Sequence, residues 1–508
     1  MRNRFRRIRT IGHFTGSFLQ VVGALILLPV ATVILYWGKR GDGRLTLLAF
    51  VLPAALSAVL GTALRRWCRP AQLDMTGSML LCAVAWIAAS AFGALPFVLG
   101  LGASYLDAYF EAMSGFTTTG ITVFSGLDGM ARSIILWRAI TQWVGGIGIL
   151  SFFLAIVFRG GGAHHMFGAE SHKISSGRPA PGLFNTLKIL WAIYGSFTVA
   201  SAVTLALEGM SPFDSICHSL TALSTGGFSP YDSSIEYYRL SGHPNYRLIE
   251  YTVAFFMMLG GINFLIHYRV LTGDIRALWD NTESRHWWGL LALFIVLIMV
   301  DSLHKAGFFA ALSVRSPSAN MVELERTFRL SVFQVISVIT TTGFGTKDIG
   351  SDFFPALSKQ LFLVMMVIGG CVGSTGGGLK VMRVAMLGKL IRREVFRLRV
   401  SKKASTDLVV DGQIVPSDEI HRVAGLFFCW IALLVVGGMV TAVFSPHGAW
   451  ASLSGMFSAL GNIGPCYISV QDMIGIHPVV KVTYIFGMLA GRLEILPVLL
   501  LFSRRAWA

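Results

Sequence analysis

Stretches almost free of charge follow one another along this chain, and they leave few folds open to it. They cover residues 14–38, 45–64, 76–104, 136–158, 189–207, 248–267, 287–300, 360–379, 424–444 and 482–502. Most reach the roughly 20 residues that a helix needs to cross a bilayer. Within hydrocarbon each backbone polar group must find its partner inside the structure, and a helix does this segment by segment. Charged residues make up only 13% of the 508, about half the usual share for a soluble domain. The expected fold class is an all-α polytopic membrane protein with ten spanning segments. An even number places both termini on the same side.

The net charge of +16 would suggest nucleic acid as the partner of a soluble protein. Here the basic residues gather at one set of span ends, as the positive-inside rule describes. "MRNRFRRIRT" opens the chain with five arginines, and "LIRREVFRLRVSKKAS" (390–405) is the longest basic loop. Both read as cytoplasmic, with membrane lipid rather than nucleic acid as neighbour. The first apolar run is too long for a signal peptide and reads as an uncleaved helix. Cys68, Cys82, Cys217, Cys371, Cys429 and Cys466 form no CxxC pair, so neither a disulfide framework nor a metal knuckle is expected. His164, His165 and His172 share one loop but lack the further ligands of a metal site.

After two initial spans the rest pair up, with a short semi-apolar segment inside each pair. These are "YLDAYFEAMSGFTTTG" (105–120), "SPFDSICHSLTALSTGG" (211–227), "ERTFRLSVFQVISVITTTG" (325–343) and "HGAWASLSGMFSALGNIG" (447–464). Each holds about 10–14 residues of helical potential, suited to a re-entrant helix rather than a span. Their last glycines, Gly120, Gly227, Gly343 and Gly464, are spaced by 107, 116 and 121 residues. That is an internal repeat of span, short helix, loop and span. The expected units are 1–72 (tail and two extra helices), then repeats at 73–160, 186–270, 286–396 and 420–508.

Irregular backbone at membrane depth is tolerated where it is buried in protein or lines a watery path. Four such loops in pseudo-fourfold arrangement can aim carbonyls at one axis, replacing the hydration shell of a monovalent cation. Oxygen-only ligation suits a hard cation. The helices entering the loops would turn their negative C-terminal ends toward it. The candidate filter residues are Thr117, Thr118, Thr119 and Gly120; Ser224, Thr225, Gly226 and Gly227; Thr340, Thr341, Thr342 and Gly343; and Gly461, Asn462, Ile463 and Gly464. The windows are 117–121, 224–228, 340–344 and 461–465. The competing reading takes Thr-Gly as ordinary helix C-caps. The fourth loop lacks threonine, so fewer well-formed ion sites and looser selectivity are expected of it.

"GGCVGSTGGGLK" (369–380) carries six glycines, too many for a helix interior. The preceding "LFLVMMVI" advances only about 12 Å at 1.5 Å per residue. The break therefore begins near mid-membrane, where it reads as a mobile gate. Gly369, Gly370, Gly373, Ser374, Thr375, Gly376, Gly377, Gly378 and Lys380 are its candidate residues. Lys380 could bond loop carbonyls or anchor at the interface. Arg492, inside the last span, is an expensive residue that belongs in the bundle interior or in water. It either lies in the ion path, or pairs with Glu494 or caps backbone carbonyls. Arg138 reads as interfacial. Glu111 and Asp214, in the short helices, are candidate supporting residues that raise cation concentration at the mouth or bond backbone donors.

The four loops, together with "VIGGCVGSTGGGLK" (367–380) and "GMLAGRLEI" (487–495), resemble the Trk/Ktr/HKT superfamily of potassium transporters. Within it the chain is most similar to the potassium-translocating subunit of bacterial Trk systems, over essentially its whole length. The resemblance implies four M1–pore-helix–M2 repeats around one pore and a homodimer with a pore in each subunit. It also implies the bacterial inner membrane and a cytosolic nucleotide-binding ring of the RCK type. Glycine at all four filter positions implies potassium as substrate, held at Thr118, Thr119, Thr225, Gly226, Thr341, Thr342, Asn462 and Ile463. Segment 369–380 then corresponds to the family's gating loop, and Arg492 to an arginine in its last helix.

No P-loop order is present around Lys380, so no organic cofactor is expected on this chain. Nucleotide control would come through the ring, docked on the basic loops 390–405 and 159–188. Coupling to protons or sodium remains the alternative, as does a less selective monovalent-cation channel. Such symporters usually bury acidic relay residues, and Glu494 is the main mid-span acid. An enzyme is not expected, since no nucleophile–base pair or metal-ligand set lies in the spans.

Overall fold

The computed structural model describes residues 2–159, 183–311, 316–399 and 406–507. The loop with His164, His165 and His172 lies outside them, as do most of 159–188 and residues 400–405.

Two N-terminal helical stretches come first: α1 (Arg2–Ile26) with its short continuation α2 (Val30–Leu35), and α3 (Arg44–Trp67). Four units follow, each entered by a helix that leads to a shorter one. The first has α4 (Met75–Gly93), α5 (Leu95–Leu101), α6 (Tyr105–Phe116) and α7 (Arg132–Arg159). The second has α8 (Leu183–Leu207), α9 (Pro212–Leu223), α10 (Tyr246–Gly261) and α11 (Phe264–Leu271). The third has α12 (Thr282–Lys305), α13 (Pro317–Ile339), α14 (Ala356–Ile368) and α15 (Val381–Arg397). The fourth has α16 (Ser417–Phe444), α17 (Ala449–Gly461), α18 (Pro478–Arg492) and α19 (Leu496–Phe502).

The short helices are α6, α9, α13 and α17. Two start with the same capping pair: Ser104 Oγ accepts the Asp107 N–H, and Ser211 Oγ accepts the Asp214 N–H. Each aspartate takes the serine hydroxyl in return, at 2.7 Å, so one orphan N–H is served at each start and the serine is held in place to serve it. The third helix is longer than expected, at 23 residues. Ser316 caps it and Pro317, with no N–H to leave unpaired, opens it.

Among the described residues, six helical stretches are long and apolar enough to cross a membrane: Phe5–Leu35, Arg44–Trp67, Met75–Leu101, Asn185–Leu207, Thr282–Lys305 and Ser417–Phe444. A seventh counts α10 and α11 together, bent by 104°. The chain is a multi-pass membrane protein. Of the ten expected spans, 136–158 lies within α7, while 360–379 and 482–502 are interrupted. The glycine run ends α14. Between α18 and α19, Pro497 clashes with a continuing helix and cannot donate to Leu493, and Glu494 and Ile495 take positive φ.

Two large apolar clusters hold the units together. One joins the first and fourth through Phe110, Trp137, Met456 and Tyr484. The other joins the second and third through Tyr194, Phe264, Trp287 and Phe362. Between α15 and α16 a small hairpin pairs β1 (Val409–Val410) with β2 (Gln413–Ile414). Asp411 and Gly412 turn it, both at positive φ, as a two-residue turn of type I′ requires.

Candidate cation-binding site

Each short helix ends in the same backbone figure. Thr118, Thr225, Thr341 and Asn462 all adopt left-handed φ, at 51°, 52°, 60° and 55°. Two residues later come the glycines, also at positive φ: 83° at Gly120, 75° at Gly227, 88° at Gly343 and 106° at Gly464. The hydrogen bonds repeat as well. Thr118 N–H donates to Gly115 O, Thr225 to Ala222 O, Thr341 to Val338 O and Asn462 to Ala459 O. The next N–H, of Thr119, Gly226, Thr342 or Ile463, reaches five residues back at 2.8–3.0 Å. The helices end in C-caps at Thr117, Ser224, Thr340 and Asn462, with the left-handed residue one place on in the first three. Asparagine tolerates left-handed φ better than most residues, so the threonine-free fourth loop keeps the common figure.

The glycines are needed for a second reason. A Cβ on Gly120 would lie 2.2 Å from Gly226 O, one on Gly227 2.1 Å from Thr342 O, and one on Gly343 2.0 Å from Ile463 O. One on Gly464 would lie 3.1 Å from Thr119 O. Each loop therefore packs its glycine on the next loop's carbonyl, and the fourth returns to the first. The four form a closed ring in chain order. All four glycines line one cavity of about 510 Å³, with Asp232 and Asp348 on its wall.

Of the two roles expected of the short-helix carboxylates, Glu111 takes the second, bonding a backbone donor. Glu111 is fully buried and accepts bonds from Arg138 Nε at 2.8 Å, Thr122 Oγ1 at 2.9 Å and Val123 N–H at 3.0 Å. Arg138 is not interfacial as expected: its side chain is 2% exposed. The buried carboxylate supplies the countercharge that permits this. Arg138 also donates to Ser229 O and lies over the Phe228 ring at 4.1 Å, bracing the first loop against the second. Asp214 accepts the hydroxyl of Ser211, which caps α9, and the Tyr231 hydroxyl at 2.8 Å. The sequence reading missed Asp232 and Asp348, each five residues after its loop's glycine. It also missed Gln142, which donates to Gly226 O at 2.6 Å and accepts Phe228 N–H at 3.0 Å.

Beside the ring lies the glycine run. Gly369 and Gly378 cross so closely that a Cβ on Gly378 would come within 2.6 Å of Gly369 Cα. Thr375 anchors the tip to the second unit, its hydroxyl donating to Leu223 O at 2.9 Å and Gly260 O at 3.0 Å. Gly377 N–H donates to Thr341 Oγ1 at 2.6 Å. Two of the four left-handed residues thus hydrogen-bond to the run, since Thr225 Oγ1 also meets Thr375 Oγ1 at 3.3 Å, and Asn462 packs against it at Gly377. Thr118 Oγ1 and Asn462 Oδ1 are buried oxygens with no hydrogen-bond partner among the described residues. Lys380 is buried and its ammonium bonds Gly376 O, so it holds the run rather than the interface.

Arg492 does not pair with Glu494, which binds Arg383 at 2.5 Å. Its guanidinium donates to Thr375 O at 2.6 Å and Gly145 O at 2.9 Å. The reason lies in a recurring glycine pair. Gly145 and Gly260 back onto the last helical carbonyls of their own units, Phe116 O and Leu223 O. Gly146 and Gly261 back onto the following unit, at Ser224 and Thr340. In the fourth unit Gly491 backs onto Leu460 O, but the second position holds Arg492. Its partners belong to the first and third units, which are opposite each other in the ring order. The side chain therefore bridges across the ring.

A family model described as TrkH, a cation transport protein, matches residues 46–506. The chain belongs to the TrkH family of cation transport proteins. The Trk system potassium uptake protein TrkH of Salmonella typhimurium is 31% identical over 506 residues, covering 98% of this chain and 99% of that protein. Its counterpart in Vibrio parahaemolyticus is 31% identical over 510 residues, covering 99% of each. The crystal structure of the potassium transporter TrkH from Vibrio parahaemolyticus superposes with a TM-score of 0.84 at 29% identity, covering 99% of this chain and all of that one. These TrkH relatives are named as transporters, not enzymes.

Proposed function

We propose that this chain carries potassium across the bacterial inner membrane, through a filter formed by the four glycine loops. The observation that supports this best is the closed ring, with four equal left-handed turns and each glycine seated on the next loop's carbonyl. Backbone so arranged can present carbonyl oxygens toward a common axis at fixed spacing, where they replace water around a hard monovalent ion. The filter comprises 117–120, 224–227, 340–343 and 461–464, with potassium held at Thr118, Thr119, Thr225, Gly226, Thr341, Thr342, Asn462 and Ile463. The repeats run over 73–160, 186–270, 286–396 and 420–508.

In this reading segment 369–380 is the gate beneath the filter, and Arg492 sets a positive barrier there that gating lowers. Both termini face the cytoplasm. The working assembly is a homodimer controlled by a cytosolic RCK-type ring, docked on the basic loops 390–405 and 159–188. Passive conduction is favoured over proton-coupled symport, because Glu494 is held by Arg383 rather than open to a relay.

Rubidium tracer uptake into liposomes holding the purified protein tests the reading. Block by external potassium but little by sodium is the expected result. Equal block by both would replace it with a looser cation path, and uptake that follows an imposed pH gradient at zero voltage would replace it with symport.

A further inference from the structure

Thr375 and Arg492 hold the glycine run from the filter side. Its feet are held by a residue that the sequence reading passed over. Glu283, the second residue of α12, is fully buried. Its Oε1 accepts the N–H of Val372 at 2.8 Å and of Met382 at 3.2 Å. These two amides flank the excursion 373–381 on either side. One carboxylate oxygen therefore ties the two ends of the run together. A carboxylate oxygen shared by two amides makes stronger bonds than a neutral acceptor does.

The start of α12 is itself seated by the hairpin. Asp411 Oδ1, in the turn, accepts the Thr282 N–H at 2.8 Å and the Thr282 hydroxyl at 2.6 Å. An acidic group at a helix N-terminus meets the positive end of the helix dipole. The apolar residues of the hairpin region, Leu408, Val410 and Val415, pack in one cluster with Val372 and Met382, whose amides Glu283 holds. Lys389 of α15 donates to Val409 O at 3.0 Å. The same small hairpin thus braces both the carrier of the clasp and the feet that it clasps.

We propose that Glu283 is a positioning residue of the gate: it clasps the feet of segment 369–380, and the hairpin around Asp411 keeps it in register. Loosening the hairpin withdraws the carboxylate from both amides and frees the run to leave its place beside the filter. The proposal rests on the reading of this segment as the gate.

The test uses the full chain in liposomes without any cytosolic partner, reading rubidium uptake and the ratio of potassium to sodium block together. Glu283→Gln keeps the shape and removes the charge. Uptake is expected to rise about tenfold, the population shift that loss of a charge-assisted bond can produce, with the block ratio unchanged. Asp411→Asn is expected to raise uptake about threefold, in line with the loss of a negative charge at a helix N-terminus. The double variant should rise no further than Glu283→Gln, because both act through one contact. Should Glu283→Gln fail to fold, Asp411→Asn, outside the membrane core, carries the test alone. Thr375→Ala, which frees the tip, separates the two readings. A rise with Thr375→Ala but none with Glu283→Gln or Asp411→Asn overturns the clasp and leaves the gate standing. No rise in any of the three overturns the gate reading itself. A changed block ratio in Glu283→Gln assigns its effect to the filter and likewise overturns the clasp.

Discussion

The first three loops and the fourth reach the same backbone figure by different chemistry. In the first three a threonine takes the left-handed turn, and the glycine two residues on presses against the next loop's carbonyl. A Cβ there would stand 2.0–2.2 Å from oxygen. In the fourth an asparagine takes the turn, and the corresponding approach is 3.1 Å. The seam between fourth and first loops is therefore less tightly packed at the glycine. It is joined instead by a side chain: Asn462 Nδ2 donates to Thr119 Oγ1 at 2.8 Å and to Met488 O at 2.9 Å. Three seams are backbone against glycine, and the fourth is bridged by an amide. A missing threonine is not in itself a missing contact.

The sharpest way to break this comparison is at the tightest seam. In Gly343→Ala the new methyl meets Ile463 O, which is backbone and cannot rotate away. Strain and overpacking cost about 3 kcal/mol or more, or about a hundredfold in any flux that needs the ring intact. Rubidium uptake should fall by that much, with potassium and sodium then blocking the residue about equally. Near-normal selective uptake would mean that the ring does not need this closeness.

The brace behind the first loop comes next. Glu111→Gln leaves Arg138 buried without its countercharge, and breaking such a pair typically costs about 3–5 kcal/mol of stability. The thermal midpoint in detergent should drop clearly, and Glu111→Gln/Arg138→Met should recover much of the loss. If the double variant is as unstable as the single, the pair is not the brace. The expected effect on uptake is smaller than that of Gly343→Ala, because the brace stands behind the loop.

Asn462→Thr asks whether the fourth loop wants to be like the others. It supplies the hydroxyl that the sequence lacks there, but removes both bonds of the amide. Only the bond to Thr119 crosses the seam, that to Met488 O being within the fourth unit, and losing the two costs roughly 1–3 kcal/mol. Sodium should then compete with rubidium more strongly, by about tenfold, while uptake persists. Sharper selectivity in this variant would show that the asparagine is a defect rather than a bridge.

How much of this was legible depends on how local each cause is. The four glycine loops could be read because each is a contiguous motif at the same place in a repeat. The break at 369–380 could be read because six glycines fall together. The bend after Gly261 was also written locally, in "GGINF" (260–264), and the last break in Pro497, but both hide inside apolar runs that read as continuous spans. The hairpin was signalled by Asp-Gly between short apolar pairs, and was obscured by the basic loop beside it. Arg138 was read at the interface because its partner, Glu111, lies 27 residues earlier and the pairing exists only in three dimensions. The bridging reach of Arg492 needed the ring order of the loops, which no stretch of sequence states.

The smallest effect should come from Gly464→Ala, and it is the most informative when set beside Gly343→Ala. Both substitutions force alanine to positive φ, so the dihedral penalty, about 1–2 kcal/mol, is common to the pair. What differs is the neighbour. At Gly464 the nearest atom, Thr119 O, stands 3.1 Å away, against 2.0 Å for Ile463 O at Gly343. A few tenths of an ångström of movement accommodates the first, whereas the second requires one loop to leave its place. Rubidium uptake in Gly464→Ala should therefore fall only about tenfold, with most of the preference for potassium retained. The ratio of the two losses measures the clash alone. A ratio near one would mean that dihedral freedom is the whole reason for these glycines; a ratio of about ten or more would mean that their task is to let four loops close on one another.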